Sequence, residues 1–111
     1  MLEFSYFMRP LVHIVPSALV HLLRPLPMSQ RKLEFAWSAA VGRALERVTQ
    51  VRIEGHILVV EATSAHWVRE IMRASPLILE RLHAYLGETT IAGIDVRTNA
   101  NLDVSRRKPP V

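Results

Sequence analysis

Residues 51–63 read VRIEGHILVVEAT, and their alternation decides the fold. Val51 and Ile53 alternate with Arg52 and Glu54, the period-two pattern of a half-buried strand. Glu54-Gly55-His56 supplies a tight turn, in which Gly55 can take positive φ at no steric cost. Ile57 to Thr63 then predicts a second strand, with Leu58, Val60 and Ala62 toward the core. Ile57 and Val59 fall on the opposite face beside Glu61. That face is too apolar for plain solvation, so it needs a cover: the N-terminal leader, the first helix or a partner.

Before this hairpin the period changes from two to three-to-four. Leu33, Trp37, Val41, Leu45 and Val48 recur at helical spacing, and Phe35, Ala36 and Ala40 widen the stripe. Ser29 is a good N-cap, which predicts a helix from about 29 to about 48. Gly42 falls in its middle and implies either close packing of another backbone or a bend, since glycine costs about 1 kcal/mol there relative to alanine. Upstream, Pro16 opens a shorter helix to about Leu23, with Ala18, Leu19, Leu22 and Leu23 as its stripe. Pro25 and Pro27 end it.

After the hairpin, Thr63 or Ser64 can cap a third helix. Its buried stripe is expected to be Val68, Ile71, Met72, Ile78, Leu79, Leu82 and Leu86, and Gly87 stops it. Ser75-Pro76 lies inside, which predicts a kink or two abutting helices. A last strand is expected over about 91–98, with Ile94 and Val96 inward and Asp95 and Arg97 outward. The order is therefore α-α-β-β-α-β, an α+β fold with helices on one face of a small three-stranded sheet. Residues 1–9 read as a flexible leader, 10–98 as one domain and 99–111 as a mobile basic tail. Translation can begin at Met1 or Met8.

Composition narrows the function. The 111 residues carry 14 Lys+Arg against 10 Asp+Glu, a formal net charge of +4, and twelve of the basic residues are arginine. That balance points toward phosphate or another polyanion. No cysteine is present, which excludes disulfides, thiolate metal sites and a cysteine nucleophile. No run approaches the ~18–20 apolar residues that span a bilayer. The segment from Leu11 to Leu23 is interrupted by His13, Pro16 and His21 and precedes no small-x-small cleavage site, so no signal peptide is read and a cytoplasmic location follows by default. His66 and Glu70 stand i, i+4 apart, but two ligands do not make a metal site. With no nucleophile elbow, P-loop or dinucleotide fingerprint, neither catalysis nor a cofactor is expected.

Several ordered blocks carry a resemblance. They are Ala36-Trp37 followed by Val41-Gly42; Val51-Arg52-Ile53 with Gly55 and with Leu58, Val60 and Glu61; Ser64 and Trp67; Arg81-Leu82-His83-Ala84-Tyr85-Leu86-Gly87; and Ile91 to Ile94. Over roughly residues 10–98 the chain resembles the DciA family of bacterial replicative-helicase loaders. The resemblance implies a KH-like domain, DNA binding (single-stranded or forked, with low sequence specificity) and contact with the helicase DnaB. Two departures stand out. A KH domain clamps the nucleic-acid backbone with a GXXG loop, whereas Gly42 here is followed by Arg43, Ala44 and Leu45. Many relatives also carry a long mobile segment, whereas only about thirteen residues follow the last strand here.

The residues expected to contact phosphates are Arg43 and Arg47 on the second helix, Arg69 and Arg73 on the third, Arg52 on the first strand, and Arg106, Arg107 and Lys108 in the tail. The plainer reading is ordinary surface arginines, several neutralised by Glu46, Glu54 and Glu70. Trp67, in the first turn of the third helix, either packs into the core or protrudes to stack a base or anchor a partner. Trp67, Ile57 and Val59 form the candidate protein-interaction set. Two alternatives stand beside the DNA-binding reading: a protein-interaction domain whose open sheet face recruits a partner or a second copy, and an RNA-binding regulator. Oligomeric state is not legible.

Overall fold

The computed structural model describes residues 16–99. The leader, residues 10–15 and the tail from 100 onward, with Arg106, Arg107 and Lys108, lie outside the described residues. Helix α1 spans Ser17–Leu23, α2 Gln30–Arg47, strand β1 Thr49–Glu54, β2 Ile57–Ala62, α3 Ala65–Leu86 and β3 Gly93–Thr98. The expected order α-α-β-β-α-β is thus observed, and the fold is α+β.

Two serines begin the long helices. The Ser29 side chain accepts a hydrogen bond from the Lys32 amide at 3.1 Å, and Ser64 accepts one from the Trp67 amide at 3.5 Å. Each satisfies a donor that the first helical turn leaves without a partner. Gly87 ends α3 at φ 96°, in the region that favours glycine.

The sheet order is β1-β2-β3. β1 and β2 form an antiparallel hairpin with Val51 opposite Val60 and Glu54 opposite Ile57. Gly55 turns it at φ 63°. β3 returns parallel to β2, with Leu58 beside Ile94 and Val60 beside Val96. A parallel return needs a crossover, and α3 provides it. α2 packs on β1, and α3 packs on β2, β3 and α2. Leu33, Trp37, Leu58, Val60, Ile71, Ile78 and Leu82 are buried in one cluster, and Ile94 and Val96 are partly buried against it.

Two local expectations change, and two open alternatives narrow. α3 runs unbroken through Pro76, which is exposed. The missing amide donor therefore faces water rather than the core, and packing carries the helix past the proline. The bend that the sequence allowed at Gly42 is observed in α2, at φ 87° and ψ 170°. Nothing lies within 4 Å of a Cβ added there, so Gly42 serves a bend and not a close approach. Met72 is 57% exposed rather than on the buried stripe. Finally, α1 packs on α3 and so belongs to the helical layer; it does not cover the outer face of the sheet.

Candidate nucleic-acid interface

The arginines expected to hold phosphates occur in three settings. Arg43 and Arg47 follow the Gly42 break and are exposed. They line a shallow groove with Val41, Gly42 and Ala44. The apolar stripe of Leu33, Trp37, Val41 and Leu45 keeps its four-residue spacing across the break, and both arginines lie off it, which leaves them exposed. Among the described residues the groove is lined by α2 alone.

Arg69 and Arg73 lie one turn apart on α3, both exposed. Arg73 Nη1 stands 3.6 Å from Glu70 Oε2. This is a weak i, i+3 pair on a helix surface, which leaves the guanidinium largely available. α2 and α3 pack side by side, so the two arginine pairs sit on neighbouring helices, and the groove at Gly42 does not join them.

Arg52 is different. Its Nε donates to Glu54 Oε2 at 2.7 Å and its Nη1 donates to Glu61 Oε2 at 3.0 Å. These bonds raise its already high pKa and supply two carboxylates as partners. A phosphate would have to displace them. The neutralisation foreseen for Glu54 thus holds at Arg52, with Glu61 as a second partner. Glu46, by contrast, accepts from Ser38 Oγ at 3.0 Å.

The outer face of the sheet carries these ion pairs. Glu61 accepts from Asn99 Nδ2 at 3.1 Å as well as from Arg52, and the two bonds hold its carboxyl below the usual range. Arg97 is paired with Asp95 at 2.8 Å. Val59 lies between Arg52 and Asp95 in the register and is only 1% exposed, so it offers a partner no surface. Ile57, at the strand end, is 39% exposed. Trp67 is partly buried against the core and meets His66 edge to face, with ring centroids 5.1 Å apart. It packs rather than protrudes, which fits the large burial that aromatic rings favour.

Two cations were not foreseen in any role. Lys32 is buried, and its Nζ donates to the carbonyls of Leu26 at 2.6 Å and Arg24 at 3.3 Å. It ties the Pro25–Pro27 connection to α2, and burial lowers its pKa. Arg81 is buried on α3 and its Nε has no acceptor among the described residues. Burial pushes the Tyr85 phenol up, while the nearby Arg81 charge pulls it down. Both cations occupy apolar-stripe phases, Lys32 four residues before Ala36 and Arg81 three after Ile78. That phase was the available signal.

Among the described residues no three His, Asp or Glu side chains gather as a metal set, and no helix is long and apolar enough to cross a membrane. No curated protein sequence matches the chain. A family model described as "Dna[CI] antecedent, DciA" matches residues 11–96, which takes in α1, α2, β1, β2, α3 and most of β3. The match spans well over half of the sequence and reproduces the family suggested by the ordered blocks, and this protein therefore belongs to the DciA family.

Proposed function

We propose that this chain is a non-enzymatic DNA-binding module that acts with the replicative helicase DnaB in loading during replication initiation. The observation that carries the reading is the family match over residues 11–96. Exposed arginines on two adjacent helices support the DNA contact. Arg43, Arg47, Arg69 and Arg73 supply the principal phosphate contacts, with Arg106, Arg107 and Lys108 adding charge beyond the last strand. Arg52 is a lesser contact because two carboxylates already hold it. Arginine contacts of this kind bind backbone rather than base edges, so affinity depends on salt and little on sequence. The substrate is single-stranded or forked DNA, and residues 10–98 form the binding domain.

The test has two arms. The full chain is used to pull down the replicative helicase of the same organism, and it is titrated against single-stranded DNA and the matching RNA at several salt concentrations. Helicase capture together with salt-dependent DNA binding supports the reading. Failure of both rejects it, and stronger binding to RNA promotes the RNA-regulator alternative. A second reading, a protein-interaction domain, is favoured by the exposed apolar side chains Leu22, Leu26, Met28 and Phe35 around α1 and the start of α2. Helicase capture without DNA binding would select it.

A further inference from the structure

The sheet has two edges, β1 and β3, and an edge strand presents a row of backbone donors and acceptors to any strand that can match it. The two edges differ. The Thr63 amide donates to the Val48 carbonyl at 3.1 Å, so alternation turns the backbone groups of Thr49, Val51 and Ile53 away from β2. That row is interrupted, because Gln30 Nε2 donates to the Val51 carbonyl at 2.8 Å. At the other edge the Asn99 amide donates to the Ala62 carbonyl at 2.9 Å. Alternation then aims the N–H and C=O groups of Ile94, Val96 and Thr98 away from β2. No described side chain is hydrogen-bonded to those three residues.

We infer that β3 pairs antiparallel with β3 of a second copy of this chain, about a two-fold axis at Val96, making one six-stranded sheet. The sequence of β3, GIDVRT over residues 93–98, is self-complementary in that arrangement. Val96 faces Val96 across the axis, and Ile94 faces Thr98 twice. These are the outward-bonding residues, so each pair exchanges backbone hydrogen bonds. Asp95 faces Arg97 twice, at the intervening pairs, where opposed strands approach to about 4.5 Å between Cα atoms and side chains are closest. Opposite charges there stabilise a pairing and like charges oppose it. A parallel self-pairing in register would put Asp95 beside Asp95 and Arg97 beside Arg97, which selects the antiparallel form. The interface is isologous and closes at two copies.

Two features of the single chain agree. Asp95 and Arg97 are about half exposed and now pair with each other along one strand, so both are free to exchange partners. Ile94 and Val96 are only partly buried, whereas their β2 neighbours Leu58 and Val60 are fully so. A second β3 covers the side they leave open.

Sedimentation velocity of the full chain, without DNA, across a concentration series tests this. The parent is expected to show a monomer–dimer equilibrium. Arg97→Asp places like charges opposite one another and should weaken dimerisation by about tenfold or more. The exchange Asp95→Arg with Arg97→Asp restores both cross-strand pairs and should restore the dimer. Thr98→Pro removes an outward N–H that bonds no described residue, a position where an edge strand tolerates proline; it should give monomer at every concentration with a nearly unchanged melting temperature. A parent that stays monomeric throughout overturns the inference, as does a dimer that survives both Arg97→Asp and Thr98→Pro. Because no DNA is present, neither result bears on the proposed DNA contact.

Discussion

Trp37 Nε1 donates to Thr49 Oγ1 at 2.9 Å, and that same hydroxyl donates to the Leu45 carbonyl at 2.7 Å. The chain of bonds is buried and spans the corner where α2 gives way to β1. It satisfies the indole N–H within the core and one of the last carbonyls of the helix. The orientation of the helix on the sheet therefore depends on a hydroxyl at the first residue of a strand.

Thr49→Val keeps the volume and removes the hydroxyl. It leaves the Trp37 N–H buried without an acceptor, which costs about 1–3 kcal/mol. Urea unfolding should show that loss with an unchanged slope, whereas DNA binding measured well below the melting temperature should be unaffected. A variant as stable as the parent would mean that the core admits water to the indole.

Gly42 and Pro76 should respond to alanine with opposite signs. At Gly42 the backbone sits at φ 87° and ψ 170°, a region that non-glycine residues reach at about 1–3 kcal/mol. No neighbouring atom crowds the site, so the loss in Gly42→Ala reports backbone strain alone. Pro76→Ala restores an amide donor inside a continuous helix and should stabilise by about 1–3 kcal/mol. Thermal unfolding of the two variants checks both signs, at about 4–8 °C per kcal/mol for a domain of this size.

Glu61 makes stability pH-dependent at the acid end. The Asn99 amide and then Arg52 hold its carboxyl below the usual range. A depressed carboxylate contributes stability that is fully present above its unfolded pKa of about 4.3 and is lost as pH falls through the lower folded value. Glu61→Gln should flatten the fall in melting temperature between about pH 5 and pH 3. An equal acid slope in parent and variant would assign the effect to other carboxylates.

The arginines divide by partner, and their salt dependence should divide the same way. Replacing Arg43, Arg47, Arg69 or Arg73 by glutamine should each flatten the log–log salt dependence of single-stranded DNA binding by about 0.7, the share of one phosphate contact. Arg52→Gln should change that slope much less, since Arg52 already engages Glu54 and Glu61. Stability should barely move in the four helix variants, because their side chains are exposed. Binding titrations at four or more salt concentrations decide the matter. Equal slopes for all five variants and the parent would remove the patch.

The helices and strands follow from local patterns along the chain. Alternation from Val51 to Ala62 gives a hairpin because successive strand residues face opposite sides. The three-to-four spacing from Leu33 to Leu45 and from Ile71 to Leu86 gives helices, and Ser29, Ser64 and Gly87 mark their ends through hydrogen bonds made within one turn. These are local effects, so a local pattern reveals them. The tertiary structure decided where a rule yields. Pro76 was expected to kink a helix or divide it, and Gly42 to bend one or admit a close backbone, yet α3 continues and the bend falls at Gly42 alone. The cost of a proline is lower when its missing bond faces solvent, and which face is wet depends on what packs beside it. The same reason hid Lys32 and Arg81, whose burial follows from neighbouring elements rather than from their own polarity. It also separated Arg52 from the other arginines, since its partner Glu61 reaches it only across the paired strands. The order β1-β2-β3, with one parallel and one antiparallel neighbour, comes from α3 carrying the chain back over the sheet, and no residue in β3 encodes that direction.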